Sequence, residues 1–408
     1  SHNERGRLRF TLRGLSWMRA IAHTRTEPQM KGAGNMKSIT KYVGLDVSKK
    51  SVDVAVADHG REAPRYWGKI PNCPEAVSKL MRKLGDPKEL LVCYEAGPTG
   101  YDLYRQLTRM GIQCIVVAPS LTPVRPGDRV KTDRRDALRL AQLLRAGELT
   151  AVWVPGEEDE ALRDLTRARE DAKKDLLAAR HRLSKFLLRH GLYAPEKVKP
   201  WGAAHRRWLD GLHFENKALQ VTFQEYLHAI DEITERVKRL EAEIHEQASN
   251  SVHAPVIQAL ETLRGVAEVT AVTLVAEIGE FSRFSNPRQL MAFAGVTPRE
   301  HSSGGTTRKG GITKAGNAHV RRVLLEAAWS YRYAPALKGG LRRRQEGQNP
   351  QLQAIAWKAQ NRLHRKYHRL VLRGKSPAVA ATAVARELLG FVWAIACKVE
   401  ETRRTMAA

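Results

Sequence analysis

Hydrophobic and polar positions repeat in two rhythms, and the change from one to the other divides the chain. Tyr42-Val43-Gly44-Leu45-Asp46-Val47 is an apolar run ending at a carboxylate, and Ser51-Val52-Asp53-Val54-Ala55-Val56 alternates with a period of two, as a half-buried strand does. His59-Gly60 marks a turn, and Arg65–Ile70 reads as a returning third strand. Pro74–Leu84 has helical spacing. Leu90–Glu95 is a buried strand that again ends in a carboxylate, and Thr99–Met110 is a helix stopped by Gly111. Ile112–Val117 is another buried strand, and Thr132–Ala146 a helix stopped by Gly147. Three strands, helix, strand, helix, strand, helix is the order of an α/β layer.

Beyond Gly147 the period becomes helical. Leu162, Leu165, Ala168, Ala172, Leu176, Ala179, Leu183 and Leu187 hold one stripe. Phe223, Tyr226, Ile230, Ile233, Val237, Leu240 and Ile244 keep steps of three and four, the a and d positions of about three heptads. Pro195–Lys217, between them, is irregular. This pattern predicts either a helical hairpin or a coiled-coil element joining two chains. From Val256 the chain reads as mixed helix and glycine turn, then as helix to about Val399. The expected class is α/β plus α, in four segments: a basic extension over 1–37, an α/β domain over 38–150, a helical or coiled-coil region over 151–255 and a mainly α-helical domain over 256–400.

The 408 residues suit two or three domains at roughly 100–200 residues each. Composition changes the picture through charge: 69 Lys and Arg against 43 Asp and Glu give a net +26. Such an excess repels itself in a compact state unless a polyanion neutralises it, so nucleic acid is the first expected partner and an anionic membrane surface the second. A membrane span is not expected, since the most apolar late segment, Pro377–Cys397, is broken by Arg386 and Glu387. The Arg-rich start lacks the apolar core of a secretory signal. Cys73, Cys93, Cys114 and Cys397 form no CxxC pair, which argues against a zinc finger or disulfide scaffold and for a reducing cytoplasm. Ser1–Lys37 reads as a basic tail or as an arm along a nucleic-acid backbone, with the folded unit starting near Met36.

Four acids stand out. Asp46 and Glu95 each end an apolar strand, where open α/β sheets bind ligands. Asp133 and Asp136 stand three apart at the start of a helix, hence on one face. Hard divalent cations take carboxylate oxygens, and two ions about 4 Å apart can clamp the attacking and leaving oxygens of a phosphoryl transfer; Mg²⁺ is the expected ion. The plainer alternative is that these are turn and capping residues. Asp53, Asp58 and Asp102 rank lower, being mid-strand, in a turn and within an amphipathic helix.

Gly44-Leu45-Asp46-Val47-Ser48-Lys49, Tyr94-Glu95-Ala96-Gly97-Pro98-Thr99-Gly100 and Lys131-Thr132-Asp133-Arg134-Arg135-Asp136-Ala137 resemble the DEDD transposase family of bacterial insertion sequences, whose relatives include the Piv/MooV-type DNA invertases. The family's N-terminal domain is similar to the RuvC Holliday-junction resolvases, with an RNase H-like fold. The resemblance implies that Asp46, Glu95, Asp133 and Asp136 are the catalytic, metal-binding acids.

A second dense stretch runs from Ala294 to Asn317. The five glycines from Gly304 to Gly316 free backbone N–H groups to approach phosphates, and Arg308, Lys309 and Lys314 add charge. By itself it reads as a phosphate-binding or flexible loop. It is similar, however, to the Ser-Gly motif of the family's C-terminal transposase domain. The resemblance makes Ser303 the nucleophile, with Ser302 as the fallback, and His301 a neighbour able to assist. Arg134, Arg135, Arg308, Lys309, Lys314, Asn317, Arg321 and Arg322 are the expected nucleic-acid contacts. Leu263–Gly279 resembles a helix-hairpin-helix or is a plain core helix pair, and Arg342–Arg344 and Arg362–Arg369 add basic surface.

The resemblance further implies a bacterial transposase acting at the nucleoid. It would cut and rejoin donor and target DNA as a homo-oligomer, dimer or tetramer, and be guided by a noncoding RNA of its own element. The rival reading is a metal-dependent, structure-selective endonuclease that hydrolyses junctions with water and has no need of Ser303. A third is a catalytically idle nucleic-acid scaffold.

Overall fold

The computed structural model describes residues 39–119, 122–123, 132–303 and 306–407. The extension over 1–37, Lys131, and the Gly304-Gly305 pair lie outside them, as do the side chains of residues 301–309. The chain forms two compact units that divide between Val154 and Pro155.

The first unit is a five-stranded mixed sheet: β1 (Lys41–Val47), β2 (Ser51–Asp58), β3 (Arg65–Pro71), β4 (Leu90–Glu95) and β5 (Gln113–Val117), in the order β3-β2-β1-β4-β5. The first three pair antiparallel, with a register shift at Val54/Ala55, while β4 and β5 add in parallel to β1. Val43, Leu45, Val52, Val54, Val56, Val92 and Val116 fill the core, as β-branched residues do on a pleated surface. Helices α1 (Pro74–Leu84), α2 (Asp102–Arg109) and α3 (Asp133–Arg145) cover the sheet. Helix α3 starts where Thr132 accepts a hydrogen bond from the Arg135 amide, and buries Ala137, Leu140, Ala141 and Leu144.

The second unit is built on two long helices, α4 (Glu157–Arg189) and α6 (Lys217–Asn250), which pack on one another within the chain as a helical hairpin. Arg169 of α4 reaches Glu241, and Arg236 of α6 reaches Asp175, so the helices run antiparallel. The segment expected to be irregular contains a further helix, α5 (Ala203–Asp210), which closes the far end with His205 and Leu209 inward. Two turns of helix carry too little apolar periodicity to be seen in sequence.

The near ends of α4 and α6 join a core formed by α7 (Ala254–Leu260), α8 (Glu268–Ile278), α9 (Pro287–Phe293), α10 (Ala318–Ala328), α11 (Gly339–Gln345), α12 (Pro350–Leu372) and α13 (Pro377–Ala407). Helix α8 is buried from Ala271 to Ile278, as a core helix is. Among the described residues α13 alone is long and apolar enough to cross a membrane. Here it buries Val384, Leu388, Leu389, Val392 and Ile395 in the core, with Glu387 paired to Arg362 and Lys366. All four cysteines are free.

One expectation is corrected. The glycine-rich stretch is not a simple loop but an antiparallel pair, β6 (Pro298–Ser303) and β7 (Thr306–Ile312). Thr306, Thr307 and Ile312 supply strand propensity that the glycines masked.

Candidate active site

The first cluster grows out of the parallel pairing of β1 with β4. Their register runs from Lys41 opposite Leu90 to Leu45 opposite Tyr94. The next residues, Asp46 and Glu95, therefore lie level at the carboxyl edge of the sheet. Helix α3 delivers Asp133 and Asp136 from its first turn, where the helix dipole favours negative charge. It can lie across β1 only because Gly44 has no side chain. A Cβ there would stand 2.4 Å from both the Ala137 carbonyl oxygen and the Ala141 nitrogen.

These acids feel one another. The half-buried Asp46 carboxyl is pushed up to about 6, first by burial and then by the charges of Asp133, Asp136, Asp53 and Glu95. Asp53, ranked low from sequence, is the fifth member: it lies opposite Asp46 in the β1–β2 ladder and is 4% exposed. Its carboxylate accepts a hydrogen bond from the Tyr66 hydroxyl at 2.6 Å and faces the Lys69 ammonium at 3.0 Å. Lys69 also reaches Asp133, at 3.5 Å. The available signal was an acid inside a strand whose other central positions are all apolar. Thr122 Oγ1 donates to Glu95 at 2.9 Å, and the Arg134 guanidinium lies 5.0 Å from the Tyr66 ring centre. Arg134 and Arg135 are exposed on the first turn of α3. Asp58 and Asp102 pair with Arg65 and Arg105.

The second cluster is the hairpin. Ser303 pairs with Thr306 at the end of its ladder, followed by Ser302 with Thr307 and His301 with Arg308. The base of the hairpin is tied down by the Thr313 amide on the Thr297 carbonyl (2.8 Å), Lys314 on Gly295 (3.0 Å) and Asn317 on Phe293 (2.8 Å). Gly295 and Gly316 hold positive φ there, and a Cβ on either would meet a backbone oxygen at 2.1 Å. Behind the base, Glu277 of α8 is 2% exposed and accepts from Arg167 at 2.7 and 3.0 Å and from Asn317 at 2.7 Å. Burial would raise the Glu277 carboxyl, but these partners together hold it below the usual range. Glu170 of α4 accepts from His319 and Arg322 and faces Lys174; against the pull of burial these bring its carboxyl down to about 2.

Three of the expected nucleic-acid contacts are thus engaged inside the fold. Asn317 caps α10 and bonds Glu277, Arg321 donates to the Ala294 carbonyl, and Arg322 pairs with Glu170 and Glu326. Lys314 is exposed, with a left-handed φ of 57°.

Two family models match the chain. A transposase model for DEDD enzymes of IS110 elements covers residues 43–191, and one described as the transposase IS116/IS110/IS902 family covers residues 257–338. A putative transposase, y4qE, of Sinorhizobium fredii is 46% identical over 363 residues, 88% of this chain and 90% of its own. The transposase for insertion sequence element IS1533 of Leptospira borgpetersenii is 34% identical over 334 residues, 81% and 96% of the two chains. The chain belongs to the DEDD transposases of insertion sequences. A pilin gene-inverting protein of Moraxella bovis is also similar to this transposase, 26% identical over 204 residues that make up 50% and 53% of the two chains.

The family implies dependence on a divalent metal. Among the described residues no group of three or more His, Cys, Asp or Glu side chains is placed to hold an ion. The donor chemistry nevertheless suits a hard cation: Asp46, Glu95, Asp133 and Asp136 offer carboxylate oxygen only, and Asp46 is raised first by burial and then by its acidic neighbours, both of which bound positive charge offsets.

Two outcomes follow for the transposase. Asp46 binds its proton more tightly folded, at about 6, than unfolded, at 3.8. The stability it contributes is complete below the unfolded value and lost as pH rises through the folded one. In chelator at about pH 7.5, Asp46→Asn is therefore expected to unfold at a higher temperature than the parent, with the gain vanishing near pH 4; thermal scans at both values test this. Gly44→Ala is expected to force α3 outward, costing about 1–3 kcal/mol of stability and about 100-fold in strand cleavage as Asp133 and Asp136 shift. Cleavage within a few-fold of the parent would show that the seat of α3 does not matter.

Proposed function

We propose that this transposase breaks and rejoins DNA through a transient phosphoserine link. Its first unit acts as an RNase H-like domain in which Asp46, Glu95, Asp133 and Asp136 hold Mg²⁺, two ions in the complete site. When bound, the metal supplies charge to stabilise the phosphorane-like transition state and the departing oxygen. Ser303 Oγ attacks a backbone phosphorus and gives up its proton, the P–O bond to the neighbouring sugar breaks, and the released sugar oxygen takes up a proton to become a hydroxyl. A hydroxyl of the new partner strand then displaces Ser303, so the energy of the phosphodiester is kept and water takes no part.

The observation that carries this reading is the β6–β7 hairpin. Its last ladder pair includes Ser303, next to two glycines that let a phosphate approach, and its base is fixed by the buried Glu277 group. A relative named for gene inversion supports it, because inversion requires every broken strand to be resealed. The net charge of +26 suits a homo-oligomer holding two DNAs together with an RNA of the element, in which base pairing rather than side chains chooses the sites.

The test is covalent trapping. The full chain, the element's flanking noncoding RNA, Mg²⁺ and end-labelled donor and target duplexes are mixed and run on a denaturing gel. A protease-sensitive protein–DNA adduct that needs the metal is expected. Cleavage without any adduct would replace this mechanism with hydrolysis by water.

A further inference from the structure

The far end of the α4–α6 hairpin carries a cleft that cutting and joining do not use. It holds about 200 Å³ between Arg180 of α4, Trp201 and His205 at α5, and Leu227, Asp231 and Thr234 of α6. Two polar atoms of its lining, Arg180 Nε and His205 Nδ1, are buried without a hydrogen-bond partner. Buried polar atoms nearly always have partners, so a pair of orphans in one cleft marks a place that something else completes. His205 is only 8% exposed, and burial lowers its pKa, so its ring is neutral and offers one donor and one acceptor.

Two rings, Trp201 and His205, line the cleft. The Trp201 ring lies 5.1 Å from the Arg180 guanidinium and 5.0 Å from the His205 ring, and Trp208 lies 5.4 Å beyond His205. Trp201 is held at φ 61°, a left-handed conformation that a bulky residue rarely adopts and that tends to occur at ligand clamps. Asp231, the one acid of the lining, is matched by Arg206, which bonds both of its oxygens. From Arg180 to Leu209 the chain carries eight Lys or Arg and one acid, Glu196.

We propose that this cleft receives one unpaired nucleobase of a bound single strand, stacked on Trp201 and hydrogen-bonded by His205 Nδ1 and Arg180 Nε. The orphan atoms call for a ligand with a polar edge, the rings call for a flat one, and the basic surround calls for one attached to a polyanion. A free phosphate satisfies only the last requirement. A paired base within a duplex has neither face nor edge available. RNA and single-stranded DNA share the chemistry, and the inference stands whether or not Ser303 is the nucleophile.

The experiment uses the full chain and a short strand bearing one 2-aminopurine, made as RNA, as DNA, and as each annealed to its complement. Stacking on Trp201 is expected to quench the probe in the single strands. Trp201→Gly, which suits the left-handed backbone, and His205→Leu are expected to weaken single-strand binding by about tenfold or more. Duplex binding should change by less than about twofold, and Trp201→Phe, which keeps a stacking face, should restore most of the affinity. Loss confined to the RNA arm assigns the cleft to RNA, and loss confined to the DNA arm assigns it to a displaced DNA strand. Unchanged single-strand affinity, or equal loss for strand and duplex, would overturn the proposal. If a variant does not fold, photocrosslinking of a bromouracil-bearing strand to the parent protein decides: crosslinks at Trp201 or Trp208 are expected, and crosslinks only elsewhere reject the site.

Discussion

Ser303→Ala is expected to abolish the covalent protein–DNA adduct and to reduce joined product by about a thousandfold or more, with duplex affinity and unfolding temperature unchanged. On the proposed mechanism alanine removes the attacking oxygen, and with it the phosphoester. The change sits at the last pair of a two-stranded ladder. Ser302→Ala, one ladder pair further from the turn, is expected to keep the adduct, which separates the two hydroxyls that sequence alone left as alternatives. Asp46→Ala should also lose the adduct if, as proposed, Asp46 holds the metal that the serine step needs. The decisive comparison is Ser303→Ala against Asp46→Ala in the same gel. An adduct surviving in Ser303→Ala would remove the residue from the mechanism, and strand nicking that survives only there would favour the hydrolytic endonuclease.

Glu277→Ala is expected to cost about 3–5 kcal/mol in denaturant unfolding of the second unit, the largest loss of stability from any single charge in it. The carboxylate is 2% exposed and gathers Arg167, Arg163 and Asn317 from α4 and the start of α10. Its removal takes the carboxylate from beside the Arg163 guanidinium, whose side chain is 10% exposed, and leaves the Ala276 carbonyl as a neutral partner. The carboxyl is lowered in the folded state, so its contribution is present above the unfolded value of 4.5 and is lost as pH falls through the folded one. The difference between parent and variant should therefore shrink in acid. Joint replacement, Glu277→Leu with Arg167→Met, should recover part of the loss, since an apolar pair can stand in for a buried ion pair. A loss below about 1 kcal/mol would mean that water already reaches this group.

The elements of the first unit were legible because each announces itself locally. Runs such as Leu90–Glu95 are apolar over the length of one strand, and Gly111 and Gly147 stop helices where the chain turns left-handed. The edge position of Asp46 and Glu95 followed from strand ends alone. The role of Gly44 was invisible, because the oxygen that excludes its side chain comes from Ala137, far along the chain. Asp53 was undervalued for a related reason: alternation suggested a half-exposed strand, whereas β2 is buried on both faces and its acid is therefore a committed one. The hairpin was hidden because its glycines look like a loop, while Gly310 and Gly311 fall where the ladder shifts register between Lys309 and Ile312. The pairs Arg167–Glu277 and Glu170–His319 join residues more than 100 positions apart, beyond the reach of any periodicity.

Those long separations also order events in time. Helix α4 emerges early in synthesis, yet the carbonyl that Arg163 bonds lies 113 residues later and the His319 that bonds Glu170 lies 149 residues later. At about 5–20 residues per second the ribosome needs roughly 7–30 s to supply that second partner. Until then the first turns of α4 wait with their charges in water, while every strand of the first sheet is already made. The support of the hairpin is thus completed only after both of its strands, with α11, α12 and α13 still to follow. A nascent chain broken off before α10 would carry Asp46, Glu95, Asp133, Asp136 and both hairpin strands, but not the His319 and Arg322 partners of Glu170.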